Sequence, residues 1–273
     1  MQDPRQAFET VPFPSIREAS IDLLRAAQGK HMIHGLTEAD VTVPRQFIRD
    51  HKARTGERLS FTAFIAGCLA AAVAEDRALN AYRRGKKELI RFDDVDVNTM
   101  VEREINGRRM GTPNVIRAAD KKTYRQIHDQ IRAAQAGTVE ESQGMEWFRW
   151  ASLFGRLPTF IRMAVWRILM RNPHAVKRFA GTVGLTAVGM FGKRAGWGMT
   201  IPFLTVNVVV GGISRRPVLV EGGRIEEREY LCLTVSVDHD IVDGAPAARF
   251  VSRFVGLIEA GHGLVDEGEA SRT

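Results

Sequence analysis

The stretch Leu231–Phe254, LCLTVSVDHDIVDGAPAARFVSRF, joins a strand, a turn and a helix in one short segment. Apolar residues alternate at its start, as in a strand with one buried face: Leu231, Leu233, Val235 and Val237. His239 follows, and Asp243-Gly244 comes four residues later, before a helix predicted from Ala245 to about Ala260. Imidazole, with an ordinary pKa of about 6.5, accepts and returns protons at neutral pH. His239 is therefore a candidate general base, and a hydrogen-bonded structural histidine is the alternative.

Outward from this stretch, helices and strands alternate along a chain of 273 residues, which is long enough for one large α/β domain. The pattern predicts helices over Ile16–Ala27, Val43–Lys52, Ser60–Ala78 (with Ser60 as N-cap) and Lys122–Ala136. It predicts strands over Ile33–Thr42, Leu89–Phe92, Val95–Arg103, Arg108–Ile116, Val183–Val188, Thr200–Gly211 and Val218–Val220. Gly222-Gly223 indicates a hairpin turn.

Four segments carry a resemblance to a known family. They are DHDIVDGAPAARF near the C-terminus, PNVIRAADKKT at Pro113–Thr123, EADVT at Glu38–Thr42 and GLTAVGMFG at Gly184–Gly192. Along the chain these segments occur in the family's order, and they resemble the acyltransferase core of 2-oxoacid dehydrogenase complexes, which belongs to the chloramphenicol acetyltransferase-like superfamily. The resemblance implies an α/β fold with a mixed β-sheet flanked by helices. It also implies an acyltransferase catalytic domain over 15–261, after an N-terminal arm (1–14) and before a C-terminal tail (262–273).

The resemblance implies roles for four residues. His239 would be the general base that removes the acceptor's proton, and the Thr186 hydroxyl would donate a hydrogen bond to the oxyanion, where the family has a serine. An ordinary β-strand threonine is the alternative for Thr186. Asp243 would orient the imidazole or fix the turn through an ion pair with an arginine, for which Arg17 and Arg25 are the candidates. Gly244 would occupy a backbone position that a side chain would obstruct.

The resemblance also implies partners. Coenzyme A or acyl-CoA would be a substrate, and the active site would lie between subunits of a homotrimer. No metal site is expected, since the histidines lack ligand spacing. No lipoyl-bearing segment is expected in this chain, so the acyl carrier would be CoA, a carrier protein or a lipoyl domain on another chain. The alternative function is a non-catalytic trimeric scaffold, favoured by Asp240 where the family has arginine and opposed by the retention of His239, Asp243 and Gly244.

A basic, apolar segment departs from the family between residues 143 and 180, and we predict that it forms an inserted helical hairpin. From Trp147 to Ala180 it holds seven Arg or Lys and no Asp or Glu, whereas the rest of the chain is balanced, so it carries the net charge of +7. Trp147, Trp150 and Trp166 add aromatic surface. The segment could be a lid or subunit interface, or it could bind an anionic membrane surface through residues 147–180. Nucleic-acid binding is disfavoured, because no binding motif accompanies the charge.

The two cysteines predict a reducing compartment. Cys68 and Cys232 lie in apolar runs, which favours buried free thiols over a disulfide. The N-terminus lacks the basic and apolar regions of a signal peptide. We therefore expect a cytoplasmic protein, peripheral to the inner face of the membrane if the insert faces lipid.

Overall fold

The computed structural model describes residues 8–13, 15–105, 108–137, 153–188 and 194–264. The helices are α1 (Ser15–Ala27), α2 (Thr42–Thr55), α3 (Phe61–Ala74), α4 (Tyr124–Ala136), α5 (Thr159–Met170), α6 (Pro173–Ala180) and α7 (Gly244–Glu259), with a 3-10 turn at Ala119–Lys121. The strands are β1 (Met32–Asp40), β2 (Ala81–Arg84), β3 (Glu88–Arg91), β4 (Val97–Ile105), β5 (Arg108–Ile116), β6 (Val183–Ala187), β7 (Val206–Leu219) and β8 (Ile225–Asp238).

Six of these strands form one mixed sheet in the order β1-β8-β7-β6-β4-β5. β6 runs parallel to both β4 and β7, and the other neighbouring pairs are antiparallel. β2 and β3 form a separate two-stranded ribbon. Helices α3, α4 and α7 contribute to the same apolar core as the sheet, so the predicted mixed sheet flanked by helices is confirmed.

The core depends on two strongly apolar elements. β8 is buried throughout Leu231–Asp238, and α3 buries most of its length. The predicted N-cap of α3 is confirmed, because the Ser60 hydroxyl accepts the Ala63 N–H at 3.2 Å. The helix ends at Ala74, and the four residues predicted to continue it belong to a turn. The packed chain extends to Leu264, which is fully buried in this core.

The strand predicted over Thr200–Gly211 is wrong at its start, because β7 begins only at Val206. The Thr205 hydroxyl instead donates a hydrogen bond to the Ala81 carbonyl at 2.5 Å, and the Thr205 carbonyl accepts one from the Asp238 N–H. β7 then continues through an irregularity at Gly211-Gly212 into the segment predicted as a separate strand. A Cβ on either glycine would lie about 2 Å from a carbonyl oxygen of residues 194–196, so only glycine fits there.

The hairpin turn predicted at Gly222-Gly223 is confirmed, since it connects β7 to β8. The two glycines have φ values of +84° and +73°, which non-glycine residues rarely adopt. The strands it joins pair from Leu219 with Ile225 to Val206 with Val237. This long pairing places the C-terminal end of β8, and therefore His239, at the end of the sheet opposite the hairpin turn.

The described part of the insert forms α5 and α6, which confirms the predicted pair of helices. Trp166 of α5 is 1% exposed, with its ring centroid 6.3 Å from that of Phe154 and 5.9 Å from that of Phe179. Asn172 caps α6 by accepting the N–H groups of residues 174 and 175. The other insert tryptophans, at 147 and 150, lie outside the described residues.

Both cysteines, Cys68 and Cys232, are free and buried, as predicted. Burial raises the pKa of the Cys68 thiol.

None of the helices in the described ranges has the length and apolar character needed to cross a bilayer. Those ranges also hold no cluster of three His, Cys, Asp or Glu side chains suited to a metal ion.

Candidate active site

His239 is the first residue after β8, in the turn that leads to α7. Its side chain is 44% exposed. Its backbone N–H donates to the His31 carbonyl at 2.8 Å, and the N–H of Asp238 donates to the Thr205 carbonyl at 2.9 Å. The backbone at the candidate base is therefore fixed from two sides, while the imidazole stays accessible to a substrate.

The link between α1 and β1 holds this turn through side chains as well. Lys30 Nζ donates to Asp238 Oδ2 at 2.7 Å. His31 Nδ1 lies 2.9 Å from Asp240 Oδ1. We call Lys30 and His31 the clasp, because together they bond to three consecutive residues centred on His239. Neither residue was predicted to belong to the site, because their contacts depend on the pairing of β1 with β8, which places Met32 opposite Asp238.

Asp240, where the resemblance implies an arginine, forms ion pairs with residues other than His239. Its carboxylate contacts His31 on one side and the Arg83 guanidinium at 3.3 Å on the other. The hydrogen bond from His31, followed by the charges of His31, Arg83 and Lys30, lowers the pKa of Asp240. The negative charge that Asp240 places next to the candidate base in the chain is therefore stabilised by three side chains, those of His31, Arg83 and Lys30.

Asp243 lies near His239 without hydrogen-bonding to it. Asp243 Oδ1 is 3.8 Å from His239 Nδ1, and the carboxylate is 88% exposed. Among the described residues, Asp243 forms an ion pair with His239 alone. The proposed partner Arg25 lies instead 3.4 Å from Asp22, and Arg17 is an exposed residue of α1. The predicted pairing of Asp243 with Arg25 is therefore not found.

Gly244 is the first residue of α7 and lines a groove of about 750 Å³ between α7 and β1. A Cβ added at Gly244 would meet no other described atom within 4 Å. The obstruction predicted for a side chain is therefore absent within one described chain. Small residues on α7 keep the groove open: Gly244, Ala247, Ala248, Ser252 and Gly256.

Thr186 lies half-buried on β6, far from His239 in the same chain. Strand register places Thr186 beside Val209, and Val209 beside Thr234 of β8. His239 is five residues beyond Thr234, so spacings of ~3.3 Å along a strand and ~4.8 Å between strands put the two roughly 19 Å apart. One chain does not bring the predicted base and oxyanion donor together.

Comparison with known proteins identifies one matching family. The family of 2-oxoacid dehydrogenases acyltransferase (catalytic domain) matches residues 5–146 and 174–265. The match leaves out residues 147–173, which lie within the segment predicted as an insert.

Two curated relatives are components of 2-oxoacid dehydrogenase complexes. The chain is 25% identical over 262 residues to the lipoamide acyltransferase component of the Bacillus subtilis branched-chain alpha-keto acid dehydrogenase complex, covering 92% of this chain and 52% of that protein. It is 23% identical to the dihydrolipoyllysine-residue succinyltransferase component of the Staphylococcus saprophyticus 2-oxoglutarate dehydrogenase complex, covering 89% and 50%. The chain thus spans about half the length of these relatives.

Two solved structures share the fold. One is the cubic core of the pyruvate dehydrogenase multienzyme complex (TM-score 0.68, 19% identity, 94% of both chains covered). The other is the Azotobacter vinelandii dihydrolipoamide acetyltransferase (TM-score 0.68, 20% identity, 94% of both chains). The latter was determined to investigate the role of a serine, a histidine and an asparagine in the catalytic mechanism of that enzyme, with the histidine and the asparagine four positions apart.

Proposed function

The chain belongs to the family of 2-oxoacid dehydrogenase acyltransferase catalytic domains, and we propose that it moves an acyl group between a CoA thioester and an acceptor. The position of His239 carries this proposal. The imidazole is accessible while its backbone is fixed by His31, as a general base requires. The four-residue spacing of His239 and Asp243 also matches that of the histidine and asparagine named for the Azotobacter vinelandii enzyme.

In the proposed reaction, His239 removes the proton of the acceptor nucleophile as that nucleophile attacks the thioester carbonyl. The resulting tetrahedral intermediate carries an oxyanion, which the Thr186 hydroxyl stabilises by donating a hydrogen bond. The carbon–sulfur bond then breaks, and the imidazolium returns the proton to the departing CoA sulfur. We assign Asp243 a weak electrostatic role toward the imidazolium, because its carboxylate is well exposed and beyond hydrogen-bonding distance.

The separation of Thr186 from His239 supports a further part of the proposal, a homotrimer whose active site is shared between subunits. At roughly 19 Å by strand register, the two side chains cannot act on one carbonyl within a single chain. A neighbouring copy must supply one of them if both take part. The related structure described as a cubic core is consistent with a trimer, because cubic symmetry includes threefold axes.

Chromatography that separates free CoA from acyl-CoA tests the proposal, by measuring the release of CoA from acyl-CoA in the presence of dihydrolipoamide. His239→Ala should lower turnover by about 10²–10⁴-fold, the usual contribution of a general base. His262→Ala, an exposed histidine beyond α7, is the matched control and should leave turnover unchanged. Equal turnover in the His239→Ala variant and the wild type would rule out His239 as the base. Absence of turnover in the wild type across acyl-CoA substrates would instead favour the scaffold function.

A further inference from the structure

Helix α5 of the insert has one buried face, which is anchored to α1. Arg162 is 4% exposed, and its guanidinium donates to Asp22 Oδ2 at 2.5 Å and to Glu18 Oε2 at 2.7 Å. It also donates to the carbonyls of Gly155 and Leu157 at 3.0 and 2.8 Å. These contacts neutralise Arg162 inside the protein, so it is unavailable to an external partner. They also hold α5 at a fixed rotation on the protein surface.

The opposite face of α5 is exposed and apolar. Phe160 and Ile168 are 74% and 68% exposed, and Ile161 and Val165 are exposed to a smaller extent. At 100° per helical residue, these four residues cover an arc of about 140°. Leu153 and Leu157, just before the helix, extend the apolar surface. We call Leu153, Leu157, Phe160, Ile161, Val165 and Ile168 the apolar face.

Basic side chains lie beside this apolar face, and residues 153–180 supply no acidic side chain to pair with them. Residues 153–180 contain no Asp or Glu. Arg162 is paired internally, and Lys177 lies 3.2 Å from the buried Asp96. Arg167 and Arg171 are exposed and, by helical rotation, lie on either side of Phe160.

We propose that the apolar face, with Arg167 and Arg171, docks the enzyme on an anionic lipid surface. The Ile, Val and Phe side chains would enter the boundary between headgroups and acyl chains, while the arginines contact anionic headgroups. We choose an anionic lipid surface as the partner because the segment is cationic and contains no acidic residue, so its charge complements that surface. A nucleic acid fits less well, since aliphatic side chains have no counterpart on its phosphate backbone. The family match omits residues 147–173, so this surface lies outside the matched part of the chain.

Co-sedimentation of the full chain with phosphatidylcholine vesicles, with and without phosphatidylglycerol, tests this proposal. Wild-type protein should bind better to the anionic vesicles, and the preference should decrease as salt shortens the Debye length from about 10 Å at 0.1 M to about 3 Å at 1 M. Arg167→Gln with Arg171→Gln should lower anionic binding about 25-fold, or roughly fivefold per arginine. The matched control, Lys52→Gln with Arg54→Gln at the exposed end of α2, should bind as the wild type does.

The apolar contribution is tested separately. Phe160→Ser with Ile168→Ser should lower binding about tenfold or more per side chain, including at high salt, because apolar burial is insensitive to screening. The control Leu219→Ser with Ile225→Ser changes residues that are 72% and 73% exposed on the β7–β8 hairpin and should bind as the wild type does. Absence of wild-type binding to anionic vesicles would overturn the proposal. So would a lower oligomer mass of the Phe160→Ser/Ile168→Ser variant with unchanged vesicle binding, since the face would then contact a second copy.

Discussion

Replacing Arg162 with methionine should destabilise the fold by about 3–5 kcal/mol, the usual cost of removing one partner of a buried ion pair. The Asp22 side chain is fully buried and that of Arg162 is 5% exposed, so the substitution would leave a carboxylate without its main partner. Two carbonyls also lose their hydrogen bonds to the guanidinium. Arg25, 3.4 Å from Asp22 and half exposed, compensates in part, which places the expected loss toward the lower end of the range.

Urea unfolding followed by circular dichroism measures this loss. Arg167→Met, on the exposed side of the same helix, is the control and should change stability by less than about 0.5 kcal/mol. The double variant Arg162→Met with Asp22→Leu should be more stable than Arg162→Met alone by about 2 kcal/mol or more, because no charge is then stranded. Equal stabilities of the two single-arginine variants would refute the reasoning, and so would a double variant no more stable than Arg162→Met.

Four further predictions concern the candidate site. Thr186→Ala should lower kcat about 10- to 1000-fold with little change in KM, whereas Thr186→Ser should keep most activity in the CoA-release assay. Light scattering should give about three times the 30.4 kDa of one chain, and a monomer at micromolar concentration would contradict the shared site. Lys30→Met should lower kcat about tenfold, because the loss of the bond to Asp238 leaves the backbone next to His239 less well fixed. Lys30→Arg should restore kcat. Equal kcat in wild type, Lys30→Met and Lys30→Arg would exclude this positioning role. The lowered pKa of Asp240 means that its charge stabilises the fold above the ordinary carboxyl pKa of about 3.9, and that this contribution disappears as pH falls through the lower folded value. The stability difference between wild type and Asp240→Asn should therefore shrink in acid, as urea unfolding from pH 6 downward would show.

The predicted elements around the site agree with the structure because local sequence determines them strongly. β8 follows from strict alternation of apolar residues, and β5 begins and ends where the sequence predicts, at Arg108 and Ile116. The start of β7 was mispredicted because the apolar residues before Val206 resemble a strand, while Thr205, directly before β7, bonds to Ala81 and Asp238. Such long-range contacts leave no periodic signal in the local sequence.

The roles of the charged residues were harder to predict. The basic insert was predicted without a partner for Arg162, and the structure places that partner, Asp22, 140 residues earlier. A signal existed, because Glu18 and Asp22 are four residues apart on α1 and so share a helix face. An acidic face on one helix and a segment without any acid are complementary. The clasp residue Lys30 left no such signal, because its function depends on the register of β1 with β8.

These contacts make α1 the connection between the insert and the candidate catalytic residue. Its acidic face binds Arg162, and the residues just after its end, Lys30 and His31, bond to the turn that carries His239. A contiguous path of contacts therefore runs from α5 to His239 through one helix of 13 residues. Because a misplacement of about 1 Å at a catalytic group costs up to about 100-fold in rate, a lowered kcat of Arg162→Met would show that this path couples the insert to the base.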